Sequence, residues 1–262
     1  LSFERFENIG YQSTSSRDAT VTDSAAAASA WACGEKFNNG EISCHGLPDG
    51  SCADLQPTIL EMAENMGKST GLVATSEISH ATPAAFGAHV IARSCGCEIA
   101  KQYIAVAGVD VILGGGIYKT SEQCAVYPES YNAADKRQYI IDLAAGSGYA
   151  FVATETDLRK AVETGAGKIL GLFEQNPGRH GKTPEMFRLN GSIYPDGEPT
   201  LAEMTAAALD VLEEDPDGFF LLVEGSQVDW ANHANDITYQ LAEMIGFDEA
   251  VKEVTRWLDA NP

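Results

Sequence analysis

The chain has 262 residues, and its 38 acidic and 17 basic side chains give a formal net charge of -21. A field of this sign excludes nucleic acid and anionic membrane surfaces as partners and predicts a solvated acidic surface, as in secreted or salt-adapted proteins. The hydrophobic fraction of 44% excludes a disordered chain, and no apolar run is long enough to predict a transmembrane helix.

The predicted elements alternate between helices and strands along most of the chain. In chain order they are helix 25–32, helix 58–66, strand 71–77, helix 82–93, strand 109–113, helix 138–145, strand 149–153, helix 157–164, strand 168–173, a loop over 176–199, helix 200–214, strand 219–223 and helix 237–258. This alternation predicts an α/β fold, a three-layer α/β/α domain with a mainly parallel central sheet. No break in composition divides residues 1–262 into two domains.

Six cysteines, an even number, favour disulfides over free thiols and an oxidising compartment, so we expect a periplasmic or secreted protein. They are Cys33, Cys44, Cys52, Cys95, Cys97 and Cys124. Their spacing leaves the pairing open and excludes a structural zinc ribbon, because paired CxxC motifs are absent. The chain opens at Leu1 without a basic and apolar leader, which we interpret as an export signal that was removed or not included.

The first candidate motif is the run Thr-Asp-Ser-Ala-Ala at 22–26. Ser24 lies at the predicted start of an alanine-rich helix, where unpaired backbone N–H groups and the helix dipole favour an anion. A serine there can attack a phosphorus atom while the helix start holds the phosphoryl oxygens. The alternative is that Asp23 or Ser24 only caps the helix.

The second motif is the run Ser-His-Ala-Thr-Pro at 79–83, which follows a predicted strand and precedes Arg93. Functional residues of parallel α/β folds collect beyond the carboxyl ends of strands. His80 and Thr82 can reach a cation or an ordered water there. Arg93, about three turns along the helix that begins at Thr82, can donate bidentate hydrogen bonds to two oxygens of a phosphate. The alternative is that Thr82 is an ordinary helix cap.

The third motif spans 223–233 and contains Glu224, Asp229 and His233. The preceding strand delivers Glu224, a hard oxygen ligand that suits Mg²⁺, to the carboxyl edge of the sheet. Asp229 and His233 are four residues apart, so they share one face of a helical turn and can bind one Zn²⁺. The alternative is an acidic cluster that complements a helix dipole.

Other features carry weaker signals. The glycines at 114–116 follow a strand, but no Gly-Lys-Ser/Thr comes after them, so we interpret them as a tight turn and not a phosphate loop. His45, His89 and His180 have no partners at metal-ligand spacing, and we interpret them as structural or surface residues.

Together and in this order, the three motifs resemble those of the alkaline phosphatase family. The matching elements are the run at 23–26, the run at 80–83 with an arginine eleven residues after its threonine, and the Glu-x4-Asp-x3-His run at 224–233. The runs 109–116 and 169–173 also look like family core strands. The resemblance covers nearly the whole chain and implies a phosphate monoester hydrolase that uses zinc and magnesium.

The resemblance implies a role for each matching residue. Ser24 matches the nucleophile that forms a phosphoseryl intermediate and contacts the second zinc. Arg93 matches the arginine that clamps the substrate phosphate. Asp229 and His233 match two ligands of the zinc that activates water for the second step.

Four further positions carry over to magnesium and phosphate binding. Glu224 and Thr82 match magnesium ligands, and His80 occupies a position that is Asp in some members and His in others. Trp230 lies where some members have a lysine that helps to hold phosphate. The combination of His80 and Trp230 is similar to that of a cold-active or marine bacterial branch.

Some family features have no counterpart in this chain: a metal-bridging Asp on the first strand, an Asp-His pair and a final histidine. The resemblance therefore implies incomplete zinc and magnesium sites. We expect a truncated or partial chain, with residues 1–262 forming a single, incomplete catalytic domain that binds metal weakly and has little activity by itself.

Three functions remain open at this stage. The leading one is hydrolysis of small-molecule phosphate monoesters by double in-line displacement. The second is a relative that cleaves phosphodiesters or sulfate esters, although such relatives use Thr or a modified Cys in place of Ser24. The third is a catalytically incomplete metal-binding fragment. A homodimer is one assembly to test.

Overall fold

The computed structural model describes residues 1–6, 8, 10–53, 56–116, 136–173, 183–189 and 197–261. The strands within these residues are β1 (His45–Gly46), β2 (Cys52–Ala53), β3 (Ser69–Glu77), β4 (Val111–Gly115), β5 (Ala150–Val152), β6 (Ile169–Phe173) and β7 (Phe219–Glu224). The α-helices are α1 (Ser24–Cys33), α2 (Ile59–Asn65), α3 (Ala81–Gly87), α4 (Gly96–Gln102), α5 (Lys136–Gly146), α6 (Glu155–Glu163), α7 (Pro184–Leu189), α8 (Leu201–Leu212), α9 (Gln227–Ala234) and α10 (Ile237–Ala260). A 3-10 helix (Ser2–Arg5) and a π-helical turn (Tyr103–Ala107) complete the described elements.

Five strands form a parallel central sheet in the order β5-β6-β4-β3-β7, while β1 and β2 make a small antiparallel pair. Every residue of β4 and β6 is buried, as expected when helices cover both faces of a parallel sheet. The crossover helices between successive strands allow this parallel pairing. The prediction of an α/β fold with a mainly parallel sheet is confirmed.

Two hydrophobic clusters show the three layers, because alternate residues of a strand point to opposite faces. On one face, Leu72 and Ile112 pack with α1 to α5. On the other face, Val73, Leu113 and Ile169 pack with α6, α8 and α10. The functional motifs lie where these layers meet the carboxyl ends of β3 and β7.

The helix that follows β3 is shorter than the sequence predicts. It begins at Ala81 with His80 as its N-cap, so Thr82 is not the cap, and it ends at Gly87 instead of reaching Arg93. The backbone is extended at Ala88, with φ -150° and ψ 157°. Val90 then pairs with Ile42 in an isolated β-bridge. Tertiary hydrogen bonding thus overrides a helix-compatible sequence.

The glycines after β4 also differ from the prediction, because Gly114 and Gly115 belong to the strand and do not form a tight turn. The ladder between β3 and β4 shifts register between Val73 and Glu77, which brings the two backbones close. A Cβ atom on Gly114 would lie 3.0 Å from the Ser76 carbonyl oxygen. Glycine is therefore required for close approach to β3 and not for binding a phosphate.

Several described elements were not in the predicted list. These are the 3-10 helix, β1, β2, α4, the π-helical turn, α7 and α9, although the spacing of Asp229 and His233 did predict a helical turn within α9. The helix α7 lies within the predicted loop 176–199, whose segments 176–182 and 190–196 are outside the described residues. The other predicted helices and strands are present with ends shifted by a few residues, including the capping box of Thr200 and Glu203 at the start of α8.

The cysteines are only partly oxidised. Cys44 and Cys52 form a disulfide, and Cys95 is disulfide-bonded as well. Cys33 and Cys97 are free thiols, so the preference for disulfides is wrong at these two positions. Cys97 is buried, and Cys124 lies outside the described residues. Within the described part of the chain, no helix is long and apolar enough to cross a membrane.

His89 and Glu61 form a part-buried pair between α2 and the segment that follows α3. His89 Nε2 lies 3.0 Å from both Glu61 carboxylate oxygens, and Nδ1 contacts the Ser43 carbonyl. Burial by itself would lower the pKa of His89, but the bonds to Glu61 and Ser43 raise it overall. Burial would raise the pKa of Glu61, but the bonds from His89 and the Thr58 amide lower it overall. His89, one of the three histidines interpreted as structural, thus lies in an environment that favours its charged form, whereas His180 lies outside the described residues.

This pair predicts a stability that depends on pH. The contribution of Glu61 is lost as pH falls through its lowered pKa, and that of His89 is lost as pH rises through its raised pKa. The pair therefore stabilises most between the ordinary values of 4.5 and 6.5 and progressively less above that range. We expect Glu61→Gln to lower the free energy of unfolding by about 1.5–3 kcal/mol in that window and by less at about pH 8.

Denaturant unfolding at several pH values measures this difference. Glu253→Gln is the matched control, because it removes an exposed ion pair to Arg256 on α10, and it should change stability by less than about 1 kcal/mol. An equal loss for Glu61→Gln at every pH would contradict the assignment of a charged His89.

Candidate active site

The carboxyl ends of β3 and β7 lie side by side, because the two strands are parallel neighbours paired from Ser69 with Phe219 to Ala74 with Glu224. The second and third motifs leave the sheet at these ends. The helix α1 packs against α3, which brings the first motif to the same region. The site is therefore built from three chain segments that are far apart in sequence.

Ser24 is the first residue of α1 and is half-buried. Asp23 is the N-cap, and its Oδ1 accepts a hydrogen bond from the Ala26 amide at 3.0 Å. No acceptor among the described residues contacts the amides of Ser24 and Ala25, although Ala25 is fully buried. The helix thus starts with two unpaired N–H groups beside the serine hydroxyl, which makes this end electropositive.

Arg93 is hydrogen-bonded to Asp23, the residue that directly precedes Ser24. Arg93 Nη1 donates to Asp23 Oδ2 at 3.1 Å, and Nη2 lies 3.3 Å from His80 Nε2. The same Asp23 oxygen accepts the Gly40 amide at 3.1 Å. The side chain of Arg93 remains 33% exposed, so its guanidinium can meet a ligand from solvent.

Glu224 is half-buried and hydrogen-bonded at the end of β7. The Ser226 hydroxyl donates to Glu224 Oε2 at 2.5 Å, and the Thr82 hydroxyl also bonds to this carboxylate. Burial raises the pKa of Glu224, and the charge of Asp229 adds to this rise. The bonds from Ser226 and Thr82 and the charge of Arg93 oppose it without cancelling it. A cation here would stabilise the ionised carboxylate.

The helix α9 carries the remaining candidate residues. The rings of His80 and Trp230 meet edge to face with centroids 5.8 Å apart. His233 Nε2 lies 3.5 Å from Asp229 Oδ2, so these two residues share one face of the helix as the four-residue spacing predicts. Both side chains are open to solvent, Asp229 at 60% and His233 at 81%.

The described residues do not form a complete metal centre. No group of three His, Cys, Asp or Glu side chains within this part of the chain is arranged to hold a metal ion. Catalytic zinc takes about three protein ligands with an open position for water, whereas Asp229 and His233 supply two. The donors present among the described residues fit part of such a site.

Sequence reasoning missed the polar residues that fix α9 against the sheet. Gln227 is fully buried, and its amide and Nε2 donate to Thr75 Oγ1 and Thr75 O at 3.1 and 2.6 Å. Tyr239 of α10 donates to Gln227 Oε1. The hydroxyl oxygens of Ser76 and Ser226 lie 2.9 Å apart. The sequence did contain one signal of this contact, because Thr75 and Ser76 are polar residues that follow an apolar run within one strand.

The structure brings all eight candidate residues to one region of the molecule. Asp23, which precedes Ser24, is hydrogen-bonded to Arg93, and Arg93 in turn contacts His80. The ring of His80 packs against that of Trp230. Glu224 joins Thr82 directly and lies within electrostatic reach of Arg93 and Asp229. The set comprises Ser24, His80, Thr82, Arg93, Glu224, Asp229, Trp230 and His233. Arg93 reaches this region from a turn after the end of α3 and not from a helix.

Comparison with known proteins gives the following similarities. A family model described as alkaline phosphatase matches residues 1–261. Alkaline phosphatase 3 of Bacillus subtilis (strain 168) is 40% identical over 251 residues, which cover 93% of this chain and 48% of that protein. Alkaline phosphatase of Escherichia coli (strain K12) is 35% identical over 263 residues, which cover 88% of this chain and 54% of that protein.

Solved structures show the same similarity. The alkaline phosphatase from the Antarctic bacterium TAB5 has a TM-score of 0.78 at 29% identity, covering 99% of this chain and 68% of that one. The cold-active enzyme from the psychrophile Shewanella sp. has a TM-score of 0.73 at 31% identity, covering 98% and 59%. This chain spans about half the length of the curated relatives it matches.

Proposed function

The chain belongs to the alkaline phosphatase family, and from that premise we propose that the protein containing it hydrolyses phosphate monoesters through a phosphoseryl intermediate on Ser24. One observation carries the proposal. The Ser24 hydroxyl stands at a helix start with two unpaired amides, and Arg93 lies beside it through Asp23. These are an oxygen nucleophile and an anion-binding cradle in one place.

In the proposed first step, Ser24 Oγ attacks the substrate phosphorus and forms an O–P bond while the bond to the leaving alkoxide breaks. The amides of Ser24 and Ala25 and the guanidinium of Arg93 hold the phosphoryl oxygens during this displacement. The alkoxide takes a proton and leaves as an alcohol. In the second step, water attacks the phosphoserine, releases inorganic phosphate and returns Ser24 to its free hydroxyl.

We further propose zinc and magnesium as cofactors of the complete enzyme. When bound, such ions neutralise the charge that develops on the attacking and leaving oxygens. Asp229, His233 and Ser24 are the proposed zinc contacts. The half-buried Glu224 carboxyl and the Thr82 hydroxyl that bonds to it offer oxygen donors for magnesium, and His80 is a third proposed contact. A solved variant of the TAB5 enzyme is described with Mg bound in a site called M3, which supports this choice of metal.

Location, substrates and assembly are also proposals. The acidic surface and the disulfides at Cys44, Cys52 and Cys95 support a periplasmic or secreted protein. Small phosphate monoesters are the proposed substrates, with Trp230 and His80 at the margin of the phosphate site. A homodimer is the assembly that light scattering should test.

The function is tested with three chromogenic esters: a phosphate monoester, a phosphate diester and a sulfate ester. We expect the protein containing this chain to cleave the monoester fastest, because its phosphate group has three terminal oxygens and two negative charges for the helix start and Arg93 to hold. A diester has only two terminal oxygens, and both the diester and the sulfate ester carry one negative charge. Preferential cleavage of the diester or the sulfate would overturn the proposal in favour of the second candidate function.

Residues 1–262 alone should bind zinc weakly and show little activity. The reason is that the described residues supply two zinc ligands, Asp229 and His233, where about three are normal. Zinc content and monoesterase activity of protein with the mass of 262 residues measure this. Two tightly held zinc ions with full activity in that preparation would show that the ligand count is wrong.

A further inference from the structure

Arg93 is presented by residues 88–93, which we name the arginine segment. Its backbone is extended at Ala88, forms a β-bridge at Val90, bends at Ile91 and enters a turn at Arg93. Its neighbour is residues 40–43, which we name the bridge segment. Ile42 and Val90 exchange amide-to-carbonyl hydrogen bonds at 3.1 and 3.0 Å, and the Arg93 amide donates to the Gly40 carbonyl at 2.8 Å. The position of the Arg93 backbone therefore follows the position of the bridge segment.

The other edge of the arginine segment is held by one side chain. Gln102 of α4 accepts the His89 amide at 2.8 Å through Oε1 and donates to the His89 carbonyl at 3.2 Å through Nε2. A glutamine amide thus takes the place of a neighbouring strand. With both edges bonded, the arginine segment and the bridge segment form one rigid unit.

A buried hydroxyl ties this unit to the helix that carries Ser24. Ser29 is five residues after Ser24 on α1 and is fully buried. Its Oγ accepts the Ser43 amide at 2.8 Å and donates to the Glu41 carbonyl at 3.3 Å. Ser43 is itself fixed, since it adopts a left-handed φ of 42° and its hydroxyl donates to the Ala85 carbonyl at 2.6 Å.

Helix α1 also holds the unit at a second point, through Asp23. Asp23 Oδ2 accepts from both Arg93 Nη1 and the Gly40 amide. A bound phosphate would compete with Asp23 for the Arg93 guanidinium, because both are anions that use the same N–H donors. The Ser29 bonds involve only backbone groups of the bridge segment, so they persist when phosphate is bound.

We propose that Ser29 is a positioning residue that sets the distance between Ser24 and Arg93 and thereby the affinity of the site for phosphate. This inference rests on the proposed function, because it assigns to Ser29 the alignment of the two groups that would hold the phosphoryl oxygens. Small misplacements weaken a two-point contact steeply. We expect Ser29→Ala to raise the phosphate inhibition constant and the KM about fivefold to tenfold.

Thr205→Val is the matched control. Thr205 of α8 is also fully buried, and its hydroxyl donates to the Leu201 carbonyl of its own helix at 2.7 Å. Each substitution removes one buried hydroxyl, so both should lower Tm by a similar amount. Only Ser29→Ala should raise the phosphate inhibition constant. It should also speed hydrogen exchange at the amides of Ser43, Val90 and Arg93.

Kinetics are measured on the metal-loaded enzyme that contains this chain, with inorganic phosphate as the inhibitor. A Ser29→Ala variant with the Tm loss of the control, unchanged phosphate inhibition and unchanged exchange at Arg93 would overturn the proposal. If the wild-type protein neither binds phosphate nor cleaves monoesters, the proposed function fails. Amide exchange at Val90 and Arg93 then decides by itself whether Ser29 positions the arginine segment.

Discussion

Replacement of Ser24 with alanine should lower the rate of phosphate monoester hydrolysis by about three or more powers of ten. The covalent step is lost because no other described hydroxyl stands at the start of α1 beside Arg93. The electropositive helix start and the arginine remain, so phosphate should still bind. Residual turnover would then come from direct attack of water on the bound ester.

Two measurements separate this role from a structural one. Wild-type protein quenched with acid during turnover and digested should give a single phosphorylated peptide that contains Ser24. Ser69→Ala is the control, because its hydroxyl bonds to Asp215 at 2.9 Å at the opposite end of β3. That variant should keep full activity. A phosphorylated peptide elsewhere in an active preparation would contradict the assignment of Ser24.

Replacement of Arg93 with alanine should raise the inhibition constant for inorganic phosphate by about tenfold to a hundredfold. A charge-assisted hydrogen bond of guanidinium to an anion contributes about 1.5–3 kcal/mol, and each 1.4 kcal/mol is about tenfold in affinity. Folding should suffer less, since the guanidinium is part-exposed and bonds chiefly to Asp23 and His80. The backbone bond from Arg93 to Gly40 survives the substitution.

Arg256→Ala provides the comparison, because Arg256 makes an exposed ion pair with Glu253 on α10. Its removal should leave phosphate inhibition unchanged. Arg93→Lys adds a second test, since a lysine keeps the charge but cannot fork two oxygens. If phosphate inhibits Arg93→Ala as strongly as the wild type, Arg93 does not bind phosphate and serves only as an ion-pair partner of Asp23.

The local elements were predictable because their causes are local. The alanine run of α1 with Gly34 after it, and the Thr200–Glu203 capping box of α8, are determined by propensity and capping over a few residues. The apolar runs of β4 and β6 predicted strands, and the structure shows that every residue of both is buried. The i,i+4 spacing also placed Asp229 and His233 on one face of α9.

The arginine segment shows where local reasoning stops. Residues 82–93 are compatible with a helix, yet the helix ends at Gly87. A Cβ atom there would lie 2.8 Å from the Tyr103 ring, so glycine marks a close tertiary contact. The following residues find hydrogen bonds from Gln102 and Ile42, which are remote in sequence. No pattern within a short window contains that information.

The sequence by itself determined the layers of the fold and the strand ends from which the motifs depart, because burial and capping act over one element at a time. The motifs also supplied the candidate residues. Only the tertiary structure decided how Arg93 reaches Ser24, through Asp23, the bridge segment and Ser29. It also showed that Gln227 and Thr75 fix α9 against the sheet, which no motif had indicated. Distances between segments depend on the packing of whole elements, which no single segment encodes.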